Sequence, residues 1–200
     1  MSVRELAPRL WRWTATHPDA DPDPEPGSPA DWPAEVGSVA YETEETLVLV
    51  DPLLAADDDS VERFIDERAR RRHVHILTTV PWHRRSRAEL AARYGAETSR
   101  AKRNLPPGVE TISIRRAGET MIWIPEYGAL VPGDRILGDG AGGVRLCPES
   151  WLRYLPSGLR LSELRAELKP LLELPIELVL VSHGEPVLEQ AHDALAAALH

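Results

Sequence analysis

The 200-residue chain predicts a layered α/β (α+β) fold, and three observations carry that prediction. In each half, strand pairs are followed by a helix and a further strand, an order that packs sheets face to face with helices outside. The run LVLV at 47–50 is apolar on both faces, as suits a strand inside a sandwich. Several stretches repeat apolar residues every three or four positions, so each would bury one helical face.

Taken in order, residues 10–16 read as the first strand. Residues 17–33 hold six prolines and five acids. A segment so rich in φ-locked residues and like charge reads as an extended, solvated loop. Residues 38–42 and 46–51 read as two antiparallel strands joined by an acidic turn. Val61, Phe64 and Ile65 share one face of a helix, with Ser60 as its N-cap. A strand over 74–78 precedes a helix over 87–94, with Leu90 and Ala91 inward and Gly95 as its stop. Strands follow at 111–115, 120–125 and 129–131. A leucine stripe (Leu161, Leu164, Leu168, Leu171) predicts a helix, then a strand at 176–181 and a closing helix over 186–199.

Length and composition suit one domain spanning 1–200. Apolar content is 42% and charged content 28%, ordinary for a globular protein. A net charge of -9 argues against a nucleic-acid partner held by bulk electrostatics. No apolar run is long enough to cross a bilayer, and MSVRELAPRLWRW lacks a signal-peptide core. Cys147 is the only cysteine, which excludes an intrachain disulfide and a cysteine-rich zinc site. A cytoplasmic setting is expected, and the oligomeric state is left open.

Three segments carry the chemistry: HVHILTTVPWHRRSRAELAARYG (73–95), VPGDRILG (131–138) and LVLVSHGEP (178–186). In that order and spacing they resemble the metallo-β-lactamase fold of metal-dependent hydrolases, over roughly 37–186. The resemblance implies a four-layer αββα sandwich. The family's T-H-x-H-x-D-H signature is overwritten: Thr79, Pro81, His83 and Arg84 stand at its four ligand positions. A later family histidine is matched by Glu119 in AGET. Asp134 and His183 match the bridging aspartate and the terminal histidine directly.

A dinuclear hydrolytic site needs imidazoles and carboxylates to hold two cations, which acidify a shared water and polarise the bond to be cleaved. Proline offers no donor atom, and an arginine repels a metal at close range. Two arrangements remain. In one, His83, Asp134 and His183, with Glu119, hold a single divalent ion (zinc, manganese or iron). In the other, no metal binds, and Arg84 supplies the positive charge by pairing with Asp134. The second is favoured, because a permanent cation at a ligand position opposes metal binding.

The expected function is a hydrolase or acid–base enzyme for a small anionic substrate. His83 and His183 would move protons, Arg84 would stabilise an anion, and Asp134 would orient or ligate. The alternative is a non-catalytic module that keeps the fold and binds a ligand or protein. Other candidates have plainer readings. His73 and His75 lie a strand length from the site. His17 is a surface residue or part of a lid. Trp82, Trp123 and Trp151 line a pocket or belong to the core. Asp51 orients a strand end, and DGAGG (139–143) is a turn.

Overall fold

The computed structural model of the protein describes residues 3–99 and 104–200. The first half forms a six-stranded sheet in sequence order. Its strands are β1 (Arg4–Ala7), β2 (Leu10–Thr16), β3 (Glu35–Glu42), β4 (Thr46–Val50), β5 (His73–Leu77) and β6 (Glu97–Ser99). β1 to β4 pair antiparallel, whereas β4, β5 and β6 run parallel. Parallel neighbours need crossover connections, and these contain α1 (Ser60–Ala69) and α2 (Arg87–Tyr94). Every residue of β4 is buried, as its two-faced apolarity requires. α2 stops where Gly95 adopts φ +60° and returns its N–H to Ala91 O.

The second sheet has the order β12-β9-β8-β7. β7 (Glu110–Ile114), β8 (Glu119–Ile124) and β9 (Ala129–Val131) are antiparallel, and β12 (Leu178–Val179) joins β9 in parallel. A separate hairpin, β10 (Ile136–Gly138) with β11 (Val144–Leu146), turns through the DGAGG segment. α3 (Glu149–Leu152), α4 (Leu161–Leu168) and α5 (Ala191–Leu199) complete the chain. The leucine stripe is helical only to Leu168, after which 169–173 tightens into a 3₁₀ turn. Pro170 lacks the N–H that an α-helix would use there.

Three apolar layers result. Leu10, Val39, Val48 and Leu77 of the first sheet meet Ile122, Ile124 and Val131 of the second, with Leu180 just after β12. Leu47, Leu49 and Ile76 turn the other way, onto Val61, Ile65 and Leu90 of α1 and α2. Met121, Leu130 and Val179 pack on Leu164, Leu168 and Leu195 of α4 and α5. The order of layers is therefore helix, sheet, sheet, helix. The parallel pairs β4–β5 and β9–β12 end at one edge, and the segments that follow them supply the site. Among the described residues, no helix is long and apolar enough to cross a membrane.

The closing helix begins at Ala191 rather than 186. Val187 exchanges two backbone hydrogen bonds with Val179, at 2.9 Å each, which holds that stretch extended. Gln190 then turns the chain at φ +52°.

Candidate active site

Asp51 follows β4 in a left-handed conformation, φ +46°, a region aspartate tolerates better than most residues. Its side chain therefore folds back beneath the loop after β5. Oδ1 accepts from the Thr79 backbone N–H at 2.9 Å, and Oδ2 accepts from the Thr79 hydroxyl. His83 Nδ1 lies 2.9 Å from the same Oδ2. The other ring nitrogen, Nε2, stands 3.0 Å from Asp134 Oδ1, and His183 Nε2 stands 3.4 Å from that oxygen on its far side. Asp51, His83, Asp134 and His183 thus form one continuous line of buried groups.

Asp134 is placed by Glu119. The Glu119 carboxylate accepts from three consecutive backbone N–H groups, those of Gly133, Asp134 and Arg135, at 2.9–3.0 Å. Its place is beneath the loop, and it is not among the converging ligand atoms. A Cβ on Gly133 would sit 2.7 Å from Thr79 Oγ1, so glycine is what lets this loop press against the Asp51–Thr79 pair. Asp134 Oδ2 accepts from Trp82 Nε1 at 2.6 Å.

Arg84 does not pair with Asp134. It is exposed, and its Nε donates to Pro81 O at 3.2 Å. The loop turns at the next residue, where Arg85 has φ +38°, and it is Arg85 that points inward. Its Nη1 donates to Gly37 O and Asp51 O at 2.7 Å each, and its Nη2 donates to Ser182 Oγ at 2.6 Å. The guanidinium stands among the strand ends, with these donors already engaged.

The electrostatics follow from this arrangement. Burial opposes a charge on His83, but the carboxylates of Asp134 and Asp51 outweigh it and raise the pKa to about 9. For His183, burial prevails over the single carboxylate and lowers its pKa. Burial also works against the charge on Asp134, yet the two imidazoles hold its pKa well below the ordinary carboxylate range. At neutral pH the line therefore contains a cationic His83 and a neutral His183. Two carboxylates against one imidazolium and the Arg85 guanidinium leave the cluster electroneutral.

The donor set also fits one metal ion. His83, Asp134 and His183 each offer an atom, and all three atoms lie within 4.8 Å of one another. Donors about 2.0–2.2 Å from a tetrahedral centre are separated by roughly 3.3–3.6 Å; the 3.4 Å found here falls in that range and the 3.0 Å just short of it. Asp134 Oδ1 is buried and makes no aligned hydrogen bond despite those short approaches. Asp51 holds the outer nitrogen of His83, the support a ligating imidazole needs. His183 Nδ1 is buried without a corresponding acceptor among the described residues. No second three-ligand set occurs among the described residues.

A cavity of ≈ 400 Å³ opens above the line. Trp32 and Trp151 approach the His183 ring edge-on from centroid distances of 5.7 and 5.6 Å. His17 meets Trp32 edge-on at a centroid distance of 5.2 Å and lines the cavity, so the proline-rich loop does fold over the site. Trp82 is half exposed at its rim. Trp123 lies in the core instead. His73 and His75 remain at the far end of β5. Trp32 and Arg135 also line the cavity, and neither stands out in the sequence.

No family model matches the chain, and no curated protein does. Solved structures match over nearly its whole length. DIM-1 metallo-β-lactamase exposed to ceftazidime is 12% identical with a TM-score of 0.60, covering 99% of this chain and 95% of that one. VMB-1 is 11% identical with a TM-score of 0.65, over 99% and 94%. TMB-1 is 13% identical with a TM-score of 0.61, over the same shares. The chain has the metallo-β-lactamase fold; identities this low show the fold alone.

Proposed function

We propose that the cavity is the active site of a hydrolase or related acid–base enzyme that acts on a small anionic substrate. The observation that carries this reading is the line Asp51–His83–Asp134–His183, in which burial and neighbouring charge drive the two imidazoles apart in protonation. Such opposed pairs mark acid and base roles. His83, fixed by Asp51, presents positive charge to an anion developing above it. His183 is the neutral partner and takes a proton, with Asp134 beside it to stabilise the imidazolium that forms. Trp32 and Trp151 exclude water from the His183 ring.

The resting occupant of the cluster in this reading is the proton on His83, with no metal required. His83 Nε2, Asp134 Oδ1 and His183 Nε2 are the atoms that would hold one divalent ion, which when bound supplies Lewis acidity to polarise the substrate and acidify water. Replacing the proton by a dication adds one positive charge to a neutral cluster, which also suits an anionic partner.

The test is turnover of a panel of small anionic esters, lactones and phosphoesters, run with chelator and with added zinc or manganese. Activity that falls about 100-fold or more in both His183→Ala and Asp134→Asn supports the reading. Chelator-resistant turnover assigns it to the metal-free line. A panel blank under every condition turns the site over to the second reading, a binding module without catalysis. The tryptophan-rich wall favours that alternative, since it offers contact area independent of any chemistry.

A further inference from the structure

Trp82 and His83 are neighbours in the chain, and between them they approach both oxygens of one buried carboxylate. Trp82 Nε1 donates to Asp134 Oδ2 at 2.6 Å, and His83 Nε2 stands 3.0 Å from Asp134 Oδ1. The turn that presents them is tight: His83 N donates to Val80 O at 3.1 Å, with the φ-locked Pro81 inside it. Glu119 holds the backbone N–H of Asp134, which leaves the carboxylate itself to be oriented by something else. The terminal torsion of an aspartate is broad, and a half-turn exchanges its two oxygens. The bond from Trp82 is the one aligned hydrogen bond on this carboxylate among the described residues, because Oδ1 accepts none.

Exposure sets this indole apart from an ordinary surface tryptophan. Trp82 is 52% exposed at the cavity rim. A tryptophan so placed could leave its N–H to water, yet here the N–H is turned onto a group that is 5% exposed. The ring is seated on its inner side by the buried Arg135, whose guanidinium carbon lies 5.7 Å from the ring centroid, within reach of a cation–π attraction.

We propose that Trp82 is a positioning residue of the acid–base line: by holding Asp134 Oδ2 it fixes the carboxylate plane, so that Oδ1 alone faces His83 and His183. This deepens the active-site reading above and rests on it for the use made of Oδ1. A proton on His83, or a divalent ion in its place, then always meets the same oxygen. The indole keeps the other oxygen in either case, as a supporting partner orients a ligand. Trp82 acts through Asp134 and handles no proton itself.

The test is hydrogen exchange of the indole protons by NMR, with the Trp82 resonance assigned by its loss in Trp82→Phe. In the metal-free protein this proton exchanges at least about tenfold more slowly than that of free tryptophan, although its ring is half exposed. Exchange as fast as in free tryptophan overturns the proposal. Zinc titration is the second measurement. The Trp82 proton stays protected when zinc is bound, since Oδ2 remains with the indole; a proton that becomes labile shows both oxygens recruited and overturns the proposal. Trp82→Phe keeps an aromatic ring at the rim, removes the donor, and weakens zinc about tenfold with an unchanged circular dichroism spectrum. Undiminished zinc affinity in that variant overturns the proposal. If zinc is not taken up, the exchange rate decides alone. A protected indole proton with a blank turnover panel removes the catalytic reading and leaves Trp82 holding Asp134. Turnover with a freely exchanging indole proton does the reverse.

Discussion

His83 Nε2 lies 3.0 Å from Asp134 Oδ1 while its Nδ1 is held 2.9 Å from Asp51 Oδ2, so one imidazole bridges two buried carboxylates. A ring in that position is a proton trap. The strand ends set this up: Asp51 follows β4, His83 follows β5, and Asp134 follows β9.

The first consequence concerns pH. The folded pKa of His83, about 9, lies above the ordinary value of 6.5. Its contribution to stability is therefore full below pH 6.5 and is lost as pH rises through 9. Urea unfolding of the metal-free protein between pH 6.5 and 9.5 should show a loss on the order of 3 kcal/mol. Asp134→Asn should remove most of that slope. A flat profile in the unmodified protein would show that His83 is not held as a cation.

A metal ion must displace that proton. Affinity for zinc should climb about tenfold per pH unit from 7 to 9, with one proton released from His83 per ion bound. Calorimetry in buffers of different ionisation enthalpy counts the proton. Affinity independent of pH across this range would exclude competition at His83 Nε2.

Adjacent arginines should behave as opposites. Arg84→Ala removes an exposed side chain and should change stability by no more than about 0.5 kcal/mol. Arg85→Ala removes the guanidinium donor to Gly37 O and Ser182 Oγ and leaves Asp51 O only the Ser38 hydroxyl. It should cost roughly 3 kcal/mol by chemical denaturation. Equal effects would contradict the inward orientation of Arg85.

Glu119→Gln tests whether this residue anchors the loop. The amide group would turn a donor toward backbone N–H groups that now point at a carboxylate. A loss of about 2–3 kcal/mol is expected, measured by thermal unfolding. A stable variant that had lost zinc binding alone would instead make Glu119 a ligand.

Much of the sandwich was legible because its strands are short, apolar and bounded by turn residues. The strands at 10–16 and 129–131 and the helix at 87–94 have the predicted bounds. β1 and β6 escaped notice because their residues are largely exposed and carry no alternation strong enough to read. In the site, the approach of His83, Asp134 and His183 was accessible from motif order. The choice between Arg84 and Arg85 was not. It depends on a left-handed turn at a non-glycine residue, which sequence does not signal. Glu119 was visible as an acid in the right place, but only three backbone N–H groups in space reveal what it does. Trp32 was hidden inside a segment whose composition spoke only of loop.

That loop closes at its neck, where His17 N donates to Ala34 O at 2.8 Å. Residues 18–33 consequently behave as a cassette clipped to the rim of the scaffold. Its tip can be lengthened, shortened or exchanged without disturbing any strand register. Selectivity would then change by splicing one surface segment, while the buried proton-holding groups stay as they are.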